Sequence, residues 1–335
     1  MTFFEQFTEG VIGVPSNTFY RKQKKDGSFR IIGKPNEPMK EIQERLLDFL
    51  RKHAPRLQSA AAAKDGLGSV RNARAHNESE FVFKLDFVNA FGNTDGRKIA
   101  AFVAARVRKY TPRVHAVPSE DEWFVFLSQC TLMRRGGLIQ GSKVSPLLLD
   151  WYCEETVDRP IRRLLCRAMG KRAVTYTRYV DDLVFSSRHR ITRALRAAIR
   201  DIIIAAGYLE NRWKTEVIQL SKSGTVKVTG PRIGKQHHFG LSRRKVKEIE
   251  RMLDTQLNAP LFHPMKSEEI DGKLRYLLDV TRGKKELNAL EARAIDKYRE
   301  WCERNGRDAA WPARVLARKW TGKQPSRQQK RAARK

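Results

Sequence analysis

The chain has 335 residues, 41% of them hydrophobic and 9% aromatic. That is enough apolar material for one large or two ordinary domains, and it excludes a disordered, collagen-like or coiled-coil chain. Lysine and arginine outnumber aspartate and glutamate 67 to 37, a formal net charge of +30 that points to a polyanionic partner, nucleic acid above all. Cys130, Cys153, Cys166 and Cys302 form no CxxC pair and no zinc-type cluster, so free thiols in a reducing compartment are expected. No secretory signal reads at the N-terminus and no apolar run approaches bilayer length. A cytoplasmic protein with no membrane association is the expectation.

In chain order, Arg21 to Gly27 reads as a hairpin with a basic tip before the strand-like Phe29–Ile32. Pro38 opens a helix whose apolar positions Ile42, Leu46, Phe49 and Leu50 share one face. From Phe81 to Val88 the period becomes two: Phe81, Phe83, Leu85 and Phe87 lie on one face, and Val82, Lys84, Asp86 and Val88 on the other. Thr94 or Asp95 caps a helix carrying Ile99, Phe102, Val103, Val107 and Tyr110. Another helix is expected from Pro146, broken at Pro160. Strands over 173–180 and 183–187 flank Asp181-Asp182, and a helix over 191–206 stops at Gly207. Val217–Leu220 and Thr225–Val228 are expected to pair as a hairpin around Ser223-Gly224. After Gly230 the pattern is mainly helical, with Ser242 as a cap and Val246, Ile249, Leu253 and Leu257 as the buried stripe. Residues 301–335 hold eleven Lys/Arg against Glu303 and Asp308, a tail expected to be disordered unless bound.

Carboxylates on or beside buried strands are costly unless a cation compensates them. For Asp86 and for the Asp181-Asp182 pair that cation is either a structural Lys or Arg, or a metal. Two-metal phosphoryl transfer needs carboxylates bridging ions roughly 3.5–4 Å apart, and oxygen donors suit Mg²⁺. A strand Asp and a hairpin-tip Asp pair, in a chain built to hold nucleic acid, fit that chemistry.

These residues resemble a family. Tyr179-Val180-Asp181-Asp182 is similar to the YxDD box of reverse transcriptases, Lys84–Phe91 to their first carboxylate motif, and Gly137–Pro146 to the glutamine-glycine loop between them. The resemblance runs from about Tyr20 to about Gly283. It implies an α+β, right-hand polymerase: fingers and palm interleaved over 1–230, the palm an antiparallel sheet backed by helices, then a helical, RNA-binding thumb over 231–321 and a basic tail over 322–335. It further implies that Asp86 and Asp181 ligate two Mg²⁺ ions (Mn²⁺ substituting), with Asp182 in support and Phe87 carried along in metal and nucleotide contact. Phe91 would lie under the sugar and clash with a 2′-hydroxyl, Gln140 and Gly141 would lie against the incoming nucleotide, Arg30 would grip its triphosphate, and Lys214 would act as general acid toward pyrophosphate. As plain residues, the alternative for Phe91 is a core ring, and for Arg30 and Lys214 a solvated cation.

Asn72-Ala73-Arg74-Ala75-His76 and Val228-Thr229-Gly230 resemble the NAxxH and VTG motifs of bacterial retron reverse transcriptases. That branch implies RNA contact by Asn72, His76 and Thr229, and by the basic Arg243, Arg244 and Lys245. It implies a structured noncoding RNA as template and primer, deoxynucleoside triphosphates as substrates, a branched RNA–DNA product (msDNA), an effector protein, a host RNase H, and a role in anti-phage defence. Val180 stands where alanine is commoner, and Asn89, Ile139, Lys143 and Pro231 also depart from the usual pattern. The alternatives are a non-retron bacterial reverse transcriptase, of group II intron or other defence type, and a catalytically silent RNA-binding scaffold. The roughly 105 residues after Gly230 leave little space for a maturase and endonuclease region.

Overall fold

Helices and antiparallel strands follow one another along the chain in a computed structural model that describes residues 3–24, 27–53, 57–60, 68–110, 117–170, 172–235, 238–260, 265–282, 284, 286–312 and 314. The short helix α1 (Glu5–Thr8) precedes the basic hairpin of β1 (Asn17–Gln23) and β2 (Phe29–Pro35). Its tip residues Lys25 and Asp26 lie outside the described residues, as does the expected tail over 322–335. Helix α2 (Glu37–His53) buries Ile42, Leu46 and Leu50, as its periodicity predicts. After α3 (Ser69–Arg74) and β3 (Phe81–Asp86), α4 (Gly96–Tyr110) starts at Asp95, whose carboxylate accepts the amides of Arg97 and Lys98 at 3.0 and 3.1 Å.

Three local features depart from the sequence reading. Helix α5 (Glu120–Cys130) was not expected, although Ser119 and Glu122 form a capping box at its start. Pro160 does not break the chain: α6 (Ser145–Cys153) continues through a π-helical turn, Glu154–Asp158, into α7 (Arg159–Met169). Pro160 falls in the first turn of α7, where its missing amide is tolerated, and the wide turn before it absorbs the local change. The hairpin expected over 217–228 does not form either. After β4 (Val174–Tyr179), β5 (Asp182–Ser187) and α8 (Arg193–Ala205), strand β6 (Glu216–Gln219) pairs with β3. Helix α9 (Leu220–Ser223) then separates it from β7 (Thr225–Lys227), which pairs with β8 (Arg232–Gly234). Gly224, at φ +77°, donates its amide to the Leu220 carbonyl at 2.9 Å and so ends a helical turn instead of making a hairpin. Strand β9 (Phe239–Gly240) and helices α10 (Arg243–Asn258), α11 (Ser267–Thr281) and α12 (Ala289–Arg304) complete the described chain.

The chain divides into two compact units, residues 1–65 with 79–219, and residues 66–78 with 220–335. In the first, an antiparallel sheet of order β4-β5-β3-β6 is backed by helices. The register puts Phe83, Phe185 and Tyr176 on one face and Asp86, Asp182 and Tyr179 on the other. On the first face the rings of Tyr176, Phe185 and Phe83 stack at 4.7 and 5.3 Å, and Arg178 reaches Asp150 of α6 and Asp158 of the π turn. Burying the aromatic face therefore leaves the carboxylate face for chemistry. In the second unit, the sheet β7-β8-β9 accompanies helices whose core includes Val246, Ile249, Leu253, Leu274, Leu278 and Trp301. Among the described residues no helix is long and apolar enough to cross a membrane.

Candidate active site

Asp86 is the last residue of β3, directly opposite Asp182, the first residue of β5. Between β4 and β5 the chain turns through Val180 and Asp181, and Val180 sits at φ +60°, a left-handed conformation that a β-branched residue rarely adopts. Its surroundings hold it there: the Val180 carbonyl accepts from the buried Arg178 guanidinium at 2.9 Å, and the Asp181 carbonyl accepts the Phe87 amide at 3.1 Å. All three aspartates thereby converge on one cleft of about 680 Å³.

Lys214 bonds both oxygens of Asp86, at 3.1 and 2.9 Å, and the Asn211 amide group adds a third bond at 3.3 Å. The Asn211 backbone amide also donates to the Asp86 carbonyl at 2.8 Å, so the 211–214 turn is fastened to the strand end. Asn211 was missed as a site residue, although it lies three positions before Lys214. Burial alone would lower the Lys214 ammonium's pKa, but the hydrogen bonds and charge of Asp86 raise it. Burial, and then the charge of Asp86, raise the carboxyl of Asp181. For Asp182, burial followed by the charges of Asp181 and Asp86 pushes it up to about 6. The cluster thus carries more negative charge than its protein surroundings neutralise.

Hard oxygen donors with unneutralised charge fit a divalent cation. Asp86 and Asp181 would hold it, along with the backbone carbonyl of Phe87. The Phe87 ring is not available, being 2% exposed and stacked on Tyr208 at 4.4 Å. Among the described residues, no group of three or more His, Cys, Asp or Glu is arranged to hold a metal ion by itself. Remaining ligands would come from water and substrate phosphates, as is usual for Mg²⁺.

Arg30, Phe91 and Gln140 line the same cleft. Strand β2 brings Arg30 there because the hairpin rests on the glutamine loop: the Gly33 amide donates to the Gln140 carbonyl at 2.8 Å. Gly141 makes that approach possible. Its φ is +118°, and a Cβ would lie 2.1 Å from the Gly33 carbonyl oxygen. Phe91 is half-buried against the core, and its carbonyl accepts the Leu138 amide at 2.8 Å, tying the first carboxylate motif to the loop.

The remaining sequence-predicted residues lie in the second unit. Asn72 donates to the Thr229 hydroxyl at 3.2 Å, which donates to the Ser69 carbonyl at 2.9 Å. Arg74 donates to the carbonyls of Asp279, Val280 and Arg282 at 3.0, 3.2 and 2.8 Å, clamping the end of α11. His76 is fully buried, and that burial lowers its pKa to about 3, so the ring is neutral. The two short motifs therefore meet each other, with Asn72 and His76 inside the unit. Arg243, Arg244 and Lys245 form the first turn of α10; the two arginines are exposed, and Lys245 pairs with Glu248 at 2.7 Å.

Residues 22–266 match the family described as reverse transcriptase (RNA-dependent DNA polymerase). Among individual proteins, the chain is 27% identical over 173 residues to the Retron Ec83 reverse transcriptase of Escherichia coli, covering 51% of this chain and 53% of that one. It is 26% identical over 289 residues to the Retron Mx65 reverse transcriptase of Myxococcus xanthus, covering 83% and 62%. With the Retron Ec73 reverse transcriptase of E. coli it shares 24% identity over 265 residues, covering 77% and 81%. The chain thus spans about half to four-fifths of the length of these relatives.

Proposed function

Because the chain belongs to the reverse transcriptase (RNA-dependent DNA polymerase) family, we propose that it copies RNA into DNA at the cleft of Asp86, Asp181 and Asp182. One observation carries the reading: the β3–β5 register sets Asp86 opposite Asp182 on the sheet face away from the aromatic core, with Lys214 on Asp86 and Arg30, Phe91 and Gln140 around them. Two Mg²⁺ ions bound there would activate the primer 3′-hydroxyl and stabilise the departing pyrophosphate. Asp86, Asp181 and the Phe87 carbonyl would hold them, and Asp182 would supply negative charge beside them.

Around these groups, the chain's own side chains orient the nucleotide. Arg30 presents a planar, permanently charged fork to the triphosphate. Gln140 and the close backbone approach at Gly141 support the base and sugar, and the Phe91 ring excludes a 2′-hydroxyl. Lys214 holds a proton near the aspartates and delivers it to the pyrophosphate oxygen as general acid. The first unit supplies palm and fingers, and the helices of the second unit form an RNA-binding thumb. Within that thumb Asn72, His76 and Thr229 position its segments, while Arg243 and Arg244 meet phosphates.

The matches to retron enzymes and the NAxxH and VTG segments favour the retron type. In that reading the template and primer are one structured noncoding RNA, the product is branched msDNA trimmed with help from a host RNase H, and an effector protein serves anti-phage defence. The test is to purify the protein from its native host and sequence the attached nucleic acid before and after debranching. A discrete RNA joined to DNA through a debranching-sensitive linkage is expected. RNA without attached DNA removes retron priming, and no RNA at all overturns the assignment.

A further inference from the structure

A second cavity, of about 880 Å³, lies in the first unit on the other side of the sheet, and it shares no lining residue with the catalytic cleft. It opens between α7, the end of α4 and the start of β4, on the face that carries Tyr176 and Arg178. Val174 lies five strand positions from Tyr179, roughly 16 Å along β4 from the catalytic turn. Five arginines line it: Arg106, Arg159, Arg162, Arg163 and Arg172.

The carboxylates nearby are already committed. Glu154, whose side chain is 3% exposed, takes the Arg162 guanidinium and the Gln58 amide. Arg159 pairs with Glu155 at 2.7 Å. Arg106 donates to the His53 carbonyl at 3.2 Å and lies 4.7 Å over the ring of Tyr110, which is 52% exposed at the rim. Arg163 and Arg172 are exposed and have no ion-pair partner among the described residues. With Arg159 and Arg162 paired to carboxylates, Arg106, Arg163 and Arg172 leave a surplus of positive charge around one concavity, which favours an entering anion. Planar guanidinium forks with an accessible aromatic ring are the chemistry that holds phosphodiesters and stacks bases in sequence-tolerant single-strand grooves.

We propose that this cavity is a second nucleic-acid site, holding the phosphates of a single-stranded segment behind the sheet while the cleft on the opposite face does the chemistry. The strand is gripped by Arg163, Arg172 and Arg106, with a base against Tyr110. A product or template strand leaving the catalytic region would be retained there instead of diffusing away.

Cys166 provides a local reporter, because it lines the cavity and is exposed, whereas Cys130, Cys153 and Cys302 are buried. The full chain is treated with iodoacetamide in chelator, without deoxynucleotides, and the rate of Cys166 modification is followed by mass spectrometry. The probes are a twelve-residue oligouridylate and, separately, UTP at equal phosphate concentration. Because no turnover is involved, the outcome stands apart from the polymerase assignment. An oligouridylate at ten times its own half-protection concentration should slow alkylation about tenfold, since only the empty site reacts. In Arg163→Gln/Arg172→Gln, the concentration giving half-protection should rise at least about tenfold, and the salt slope should fall by about 1.4. Circular dichroism confirms that this variant, altered at two exposed residues, is folded. Equal protection by UTP, no protection by either probe, or protection unchanged in the variant would each overturn the proposal.

Discussion

Replacing Arg178 with methionine removes the one cation, among the described residues, that pairs with both Asp150 and Asp158. The guanidinium is 0% exposed, its partners are 2% and 0% exposed, and the bonds measure 2.7 Å to Asp150 and 3.0 Å to Asp158. A hydrogen bond from Tyr176 to Asp158 at 2.6 Å survives the change, but it brings no charge. Removing one partner of a buried ion pair costs about 3–5 kcal/mol, because the remaining charge is left in a poor solvent. For a unit of this size that is a fall in unfolding temperature of about 10 °C. The loss also depends on pH. Burial already holds Asp150 above the usual carboxylate range, against the pull of Arg178. A folded pKa above the unfolded one gives stability that is present at low pH and lost as pH rises through the folded value. Without Arg178 the Asp150 value rises further, so the deficit should be large at pH 7.5 and smaller at pH 5. Adding Asp150→Asn and Asp158→Asn should restore a substantial part of it. Urea unfolding of the wild type, the single variant and the triple variant at the two pH values measures this. A loss below about 1 kcal/mol, within the range of an exposed pair, or a loss independent of pH, would refute the reasoning. Because Arg178 also holds the Val180 carbonyl, nucleotide addition should slow in the single variant even at temperatures where it is folded.

In Gly141→Ala the new Cβ meets the Gly33 carbonyl, which must move the basic hairpin; primer extension should show a raised KM for nucleotide in a protein that still binds RNA. Phe91→Ala opens space beside the sugar, so ribonucleotide incorporation relative to deoxynucleotide should rise by an order of magnitude or more, read from single-nucleotide extension gels. Asp182 takes up a proton as pH falls through about 6, and Asp181 is raised too. Both carboxyls therefore favour the metal-free fold at low pH and oppose it as pH rises through their raised folded values, while metal binding needs them ionised. Millimolar Mg²⁺ should raise the unfolding temperature at pH 7.5 and have little effect near pH 5, as differential scanning fluorimetry can show. Val180→Gly removes a β-branched residue from positive φ and should make the turn less strained but less fixed, seen as faster amide exchange at Asp181.

Strand β3 was legible because residue type and alternation agree along it. Phe81, Phe83 and Leu85 had to face the helices, and that puts Asp86 on the other side. The turn between β4 and β5 was readable from the apolar strands around it, but one position late: the expected tip Asp181-Asp182 is Val180-Asp181, and Asp182 already pairs within β5. Less visible were features fixed by distant partners. Arg178, Asp150 and Asp158 are scattered polar letters until folding buries them against one another. The partner of β6 is β3, more than a hundred positions earlier, whereas local pattern favoured β7. Asn72 and Thr229, 157 residues apart, could be recognised as motifs but not as a contacting pair. The start of α5 was readable in principle, since Ser119 and Glu122 have capping-box spacing, but Pro118 and the polar run around it masked the helix. The π turn before Pro160 has no pattern of its own.

The most direct test of the account is primer extension by the purified protein on a primed RNA template with Mg²⁺ and deoxynucleotides, run beside Asp181→Asn with RNA affinity measured in parallel. Expected are DNA synthesis by the wild type, a loss of at least about a thousandfold in the variant if Asp181 holds the metal, and RNA affinity unchanged within about twofold. A variant that still extends the primer at a comparable rate, or a wild type that binds the primed RNA and never extends it, would contradict it.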